Sequence, residues 1–117
     1  MAVLPPPSAC FGAPDGIAFD AQDNLYIADA AFNAVRKITA SGIISTVAGT
    51  GTAGFSGDGG LATSAALSSP NGVAADTQGN LYIADSFNKR VRKVSATGII
   101  TTVVGGGGVN QQTKAGT

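Results

Sequence analysis

Seven aspartates, Asp15, Asp20, Asp23, Asp29, Asp58, Asp76 and Asp85, are the only acids in this 117-residue chain, and no histidine accompanies them. Without histidine, a Ser-His-Asp or Cys-His nucleophilic site and any His-ligated metal are excluded. Proton transfer near neutral pH would fall to a strongly shifted Asp or Lys. Asp20 and Asp76 stand 56 positions apart in matching contexts. Repeated around a ring, such carboxylates could hold a cation, which makes the pair the chain's weak metal candidate. The reading adopted is that each bonds the amides of its own turn. Asp29 and Asp85 each follow Tyr-Ile-Ala. They could be catalytic carboxylates; the reading adopted is structural, with Arg36 and Arg92 as planar, bidentate partners.

The basic run Lys89-Arg90-Val91-Arg92-Lys93 is the one cationic cluster. It is a weak polyanion candidate through Lys89, Arg90, Arg92 and Lys93. No aromatic residue is interleaved with it, as single-strand recognition requires, and zero net charge argues against nucleic acid as a partner. The glycine-rich Gly49-Thr50-Gly51-Thr52-Ala53-Gly54 lacks the Lys-Ser/Thr and the helix of a phosphate loop. Asp58, in Ser56-Gly57-Asp58-Gly59-Gly60, is a single carboxylate, too few for calcium, and is read as capping the short helix or bracing its loop. No cofactor and no catalytic residue are implied.

The elements that must position these residues come from a repeat. A shift of 56 lays Pro14–Gly49 on Pro70–Gly105 without a gap, superposing Asn24-Leu25-Tyr26-Ile27-Ala28-Asp29 on Asn80-Leu81-Tyr82-Ile83-Ala84-Asp85 and Val35-Arg36-Lys37 on Val91-Arg92-Lys93. Such a period signals a propeller, solenoid or array. Aspartate-only acidity and 17 glycines point to turns and strands rather than helices. Each unit reads as four strands: 16–20, 24–28, 35–39 and 43–48, with 72–76, 80–84, 91–95 and 99–104 in the second, separated by Gly/Asn/Asp/Ser turns. Residues 14–49 form one unit and 70–105 the next. The spacer 50–69 carries a Gly-rich front and a short helix over Leu61–Leu67. Residues 1–13 and 106–117 match no strand and read as two halves of a second spacer. Tyr26 and Tyr82 are expected in the core between the sheets, and Phe55 as the anchor of the spacer.

Pro-x-Gly-Val/Ile-Ala-x-Asp, Asn-Leu-Tyr-Ile-Ala-Asp, Val-Arg-Lys and Gly-Ile-Ile-x-Thr-Val, each present twice in order, resemble the NHL repeat. The spacer Gly-Thr-Gly-Thr-Ala-Gly-Phe-Ser-Gly-Asp-Gly-Gly is similar to that of a long-repeat bacterial NHL subgroup. The resemblance implies an all-β fold, with each unit a four-stranded antiparallel blade of a β-propeller, usually six blades around a channel. The first unit departs from the pattern. Where the repeat favours Asn-Asn-Arg before the Val, the second unit has Asn88-Lys89-Arg90, but the first has Phe32-Asn33-Ala34.

Propellers need about four to eight blades, and this chain supplies two. The expectation is therefore a homo-oligomer closing head to tail, three chains giving six blades. Charged residues are 12 % and hydrophobic ones 44 % of the chain, which suits blades covered on both faces. The function expected is a non-enzymatic scaffold or binding platform formed by self-assembly. The alternatives are a piece of a metal-dependent, lactonase- or lyase-like propeller enzyme, or of a protein- or RNA-binding NHL domain. Met1–Pro7 lacks a basic region and does not read as a signal peptide. No membrane partner is expected, a secreted or periplasmic parent is compatible, and the single Cys10 cannot form an intrachain disulfide.

Overall fold

A computed structural model describes residues 11–105, placing them in two sheets joined by the spacer. The tails up to residue 10 and from residue 106, Cys10 included, lie outside the described residues. Blade 1 is the antiparallel meander β1 (Pro14–Phe19), β2 (Leu25–Asp29), β3 (Ala34–Ile38) and β4 (Ile44–Ala48). Blade 2 repeats it as β5 (Pro70–Ala75), β6 (Leu81–Asp85), β7 (Arg90–Val94) and β8 (Ile100–Gly105). Registers match residue for residue: Ile17 faces Ile27 as Val73 faces Ile83, and Arg36 faces Thr46 as Arg92 faces Thr102.

Each third strand meets the fourth through a bulge, between Val35 and Arg36 and between Val91 and Arg92. A left-handed glycine stands at or just past the end of the bulged strand, Gly49 at φ 95° and Gly105 at φ 89°. A Cβ at either would collide with the backbone carbonyl of Asn33 or Lys89. Only glycine fits both that φ and that contact.

The blades stack face to face. Tyr26, Ala28, Val35 and Ala48 of blade 1 meet Leu81, Ile83, Val94 and Ile100 of blade 2 in one core. Each fully buried aliphatic side chain contributes on the order of 1.5–3 kcal/mol. The inner strands β1 and β5 touch at glycines, because a Cβ on Gly16 would stand 2.8 Å from the Asn71 carbonyl oxygen and 2.8 Å from Gly72 Cα.

The spacer crosses from the outer strand of blade 1 to the inner strand of blade 2. On the way it pairs with the outer edge of blade 2, with Gly59 N donating to Ile100 O (2.7 Å), Ile100 N to Gly60 O (3.0 Å) and Ala62 N to Gly98 O (2.8 Å). Those bonds satisfy the start of an edge that would otherwise be bare there. The helix expected over Leu61–Leu67 is reduced to a single 3-10 turn, Ala62–Ser64. Ala65 returns to extended backbone (φ −96°, ψ 142°). Ala62, Ala65 and Leu67 are all drawn into the core, at 1 %, 0 % and 0 % exposure. Burial of those three side chains overrides the helix propensity of a short Ala-rich run.

Candidate functional site

Asp20 sits just past β1 and accepts four bonds from its own turn. The donors are the backbone N–H of Gln22 (2.8 Å) and Asn24 (3.0 Å), Asn24 Nδ2 (2.9 Å) and Tyr26 Oη (2.9 Å). Burial alone would raise its pKa, but these bonds outweigh it and hold the carboxyl down at about 2. In return, burial and the Asp20 carboxylate push the Tyr26 phenol up to about 12. Asp76 repeats the module with Gln78, Asn80 and Tyr82, and the Asn80 side chain and N–H hold its pKa below the ordinary value. Both carboxylates spend their lone pairs on the turn and on the tyrosine two strand positions beyond it.

Asp29 and Asp85 are fully buried at the ends of β2 and β6. Each ties the incoming chain to its blade. Asp29 accepts from the N–H groups of Gly12 and Ala13 (2.9 Å each) and of Phe32 (3.3 Å). Asp85 accepts from Ser68 N (2.7 Å) and Asn88 Nδ2 (2.8 Å). Arg92 approaches Asp85 at 3.4 Å, but its closer carboxylate is Asp58, at 2.8 Å.

Arg92 thus meets Asp85, the expected partner, and adds a second carboxylate. Its side chain is fully buried, so it drops out of the polyanion candidates. Its Nη1 donates to Ala66 O (2.9 Å), and its Nη2 to Ser56 O (2.8 Å) and Asp58 Oδ1 (2.8 Å). Asp58 Oδ2 accepts from Thr102 Oγ1 at 2.6 Å. Burial would raise the Asp58 pKa, and the bonds from Thr102 and Arg92 reverse that and lower it. Asn88 Nδ2 also holds the Gly54 carbonyl at 2.8 Å. The Phe55 ring lies over Arg90 and Arg92, with the two guanidinium carbons 3.5 and 4.6 Å from its centroid. Such stacking contributes about 0.5–2 kcal/mol. Phe55 thus anchors the spacer on the basic strand. Of that cluster only Lys89 is exposed, while Arg90 and Lys93 are half-buried.

The Asp58–Arg92–Thr102 bridge was not read from the sequence. Asp58 lies in the spacer, which occurs once between the two units, so no period flags it. The signal was the repeated pair Arg36/Thr46 and Arg92/Thr102, which share a register and a face.

The outward faces carry the other unforeseen feature. Ile17 and Phe19 are 63 % and 62 % exposed. Their equivalents Val73 and Ala75 pack against the core. Conversely, Tyr82, expected in the core, is only half-buried and lies on the open side of blade 2, with Val104 49 % exposed. Their equivalents Tyr26 and Ala48 are the buried ones. Position in the stack, not residue type, decides burial.

Among the described residues no group of three His, Cys, Asp or Glu side chains could hold a metal, and no helix is long and apolar enough to cross a membrane. The family model describing the teneurin NHL domain matches residues 50–115, more than half of the chain. The chain belongs to the teneurin NHL domain family. Chicken teneurin-1 is 34 % identical over 102 residues, covering 74 % of this chain and 4 % of the teneurin. Human teneurin-4 is 40 % identical over 81 residues, covering 58 % and 3 %. This NHL chain thus spans only a few per cent of those relatives.

A structural genomics protein of unknown function from Bacteroides thetaiotaomicron superposes with a TM-score of 0.62 at 35 % identity, over 71 % of this chain and 21 % of that one. A streptogramin B lyase superposes with a TM-score of 0.59 at 13 % identity, over 77 % and 26 %, a likeness that speaks for the fold alone. The NHL blades of this chain are β-propeller blades, and the part that superposes is about a quarter of the lyase.

Proposed function

We propose that this chain is a non-catalytic NHL module that closes its propeller by head-to-tail packing of copies and serves as a binding platform. The observation that carries the reading is the reciprocity of the two open faces. Blade 1 exposes Ile17 and Phe19 beside Leu25 and Ile38, the set that blade 2 buries as Val73, Ala75, Leu81 and Val94. Blade 2 leaves Tyr82, Ala84, Val91 and Val104 uncovered, the set that blade 1 buries as Tyr26, Ala28, Val35 and Ala48. The interface inside one chain is therefore a template for the interface between two. A heterologous contact of this kind closes into a ring when the rotation fits. Three copies give six blades and four give eight, within the known range of about four to eight.

The non-catalytic part of the reading is supported by the carboxylates. Asp20 and Asp76 accept backbone N–H groups of their own turns, and Asp29 and Asp85 those of the segment entering their blade. A ring of copies also repeats every group symmetrically, which is poor ground for an asymmetric active site.

Light scattering coupled to size exclusion tests the assembly. The expected mass is three or four times that of one chain at micromolar concentration, falling to that of one chain in Phe19→Asp. A wild-type monomer overturns self-assembly and leaves the open faces to blades outside this chain.

A further inference from the structure

The two blades treat one pair of equivalent residues differently. In blade 2, the Asp58 carboxylate bridges Arg92 and Thr102, and the Ser56 carbonyl takes a further guanidinium N–H. In blade 1, Arg36 and Thr46 face each other in the same register, with Arg36 3 % exposed. Beside them lies a cavity of about 300 Å³, lined by Phe32, Ala34, Arg36, Thr46 and the Gly49–Gly51 run. That volume is at the lower end of small-ligand pockets.

Two of the positions at which the blades differ shape this cavity. Arg90, which lies under the Phe55 ring, is replaced by Ala34, and Asn88, which holds the Gly54 carbonyl, by Phe32. The first change opens the space that a large side chain occupies in blade 2. The second adds an aromatic wall. The floor of Arg and Thr is kept.

We propose that the blade 1 cavity is a binding site for a glycine-flanked, aspartate-bearing peptide loop, whose carboxylate bridges Arg36 and Thr46 as Asp58 bridges Arg92 and Thr102. The occupant is a segment of the Ser-Gly-Asp-Gly-Gly type carried by an NHL blade other than the two in this chain. Residues 106–117, which follow blade 2, contain no Asp or Glu, so that tail in a second copy offers no side-chain carboxylate. A guanidinium has five N–H donors, and Arg92 serves four acceptors at once. A bound carboxylate therefore adds to the partners Arg36 already holds, among them the Phe11 ring 5.4 Å from its Cζ. The site rests on the equivalence of the blades and not on ring closure.

Fluorescence anisotropy on the full chain tests it, with a labelled peptide of the sequence Gly-Phe-Ser-Gly-Asp-Gly-Gly-Leu as the probe. Saturable binding is expected. It should weaken by about tenfold or more when the peptide's Asp is replaced by Asn, since hydrogen bonds to charged groups are the strong ones. Thr46→Val should weaken it comparably; Thr46 is exposed on β4, so the variant keeps the fold. No saturable binding, equal binding of the Asp and Asn peptides, or binding unchanged by Thr46→Val each overturns the proposal. The last outcome would mean exchange into the filled blade 2 cradle. Peptide binding reads out equally from a monomer or an oligomer, so its failure is separable from a failure of self-assembly.

Discussion

Replacing Arg92 by Met should cost this domain more than any other single change to a charged residue. Arg92 is 0 % exposed and donates to two backbone carbonyls and two carboxylates. The aliphatic stem of Met keeps much of the packing, so the loss isolates the polar part. Ser56 O and Ala66 O lose their donor, and Asp85, also 0 % exposed, keeps only the Ser68 N–H and Asn88. Removing one member of a buried ion pair costs about 3–5 kcal/mol, most of it the stranded charge. The contact to Asp58, whose side chain is 37 % exposed, adds at most about 1 kcal/mol. Against a typical total of about 5–15 kcal/mol, the variant should lie close to unfolding. At about 4 °C per kcal/mol for a domain of this size, the melting temperature should fall by roughly 12–20 °C.

Urea unfolding followed by far-UV circular dichroism measures it, at one fixed chain concentration because association adds a mass-action contribution. The companion is Asp85→Asn in the Arg92→Met background, which removes the stranded charge. The double variant should be more stable than the two separate losses summed, by about 1 kcal/mol or more. A loss below about 1 kcal/mol for Arg92→Met, or strict additivity in the pair, would refute the reasoning.

Gly16→Ala should separate the inner strands, because its Cβ meets the backbone of Asn71 and Gly72 at 2.8 Å and neither can yield as a side chain would. The expected loss is about 1–3 kcal/mol by the same denaturation assay. The Asp20 turn should set the acid limb of stability. Its folded pKa is about 2 against an ordinary 3.8, so its contribution is full above about pH 4 and lost as pH falls toward 2; Asp20→Asn should flatten that limb. Tyr26 works at the other end. Its folded pKa is about 12 against 10.0, so the contribution is full below pH 10 and lost as pH rises toward 12, and Tyr26→Phe should remove the alkaline slope.

The strands were legible because two signals agreed. A strict 56-residue repeat fixed which segments correspond, and polar turns fixed where each ends. β2, expected over 24–28, runs Leu25–Asp29, one residue later. The backbone bonds of the aspartate turn were legible for the same reason, since Asp20 and its polar turn recur, whereas the bonds from the Asn24 side chain and the Tyr26 hydroxyl were not. The helix over Leu61–Leu67 failed because propensity is local, whereas the spacer must deliver Ala62, Ala65 and Leu67 into a core made by both blades. The bond from Arg92 to Asp58 escaped the sequence for a related reason. Period-two alternation told which side of the strand it occupies, but not that a loop 34 residues earlier would fold over that side.

Tyr82 shows what a repeat cannot say by itself. Its context is that of Tyr26, yet one is in the core and the other is not, because burial belongs to the interface between two repeats and this chain contains one such interface. Every interface of a propeller needs one face of each kind, so a row of blades always ends with one of each uncovered. Departures from the repeat are then the informative positions, since they alone distinguish one interface from the next. Two of them, Phe32 and Ala34, border the Arg36 cavity. A ring of identical chains would alternate a cradle filled by Phe55 and Asp58 with one opened by Ala34. The sequence difference between the blades would thereby become a difference between closed and receptive positions on one rim.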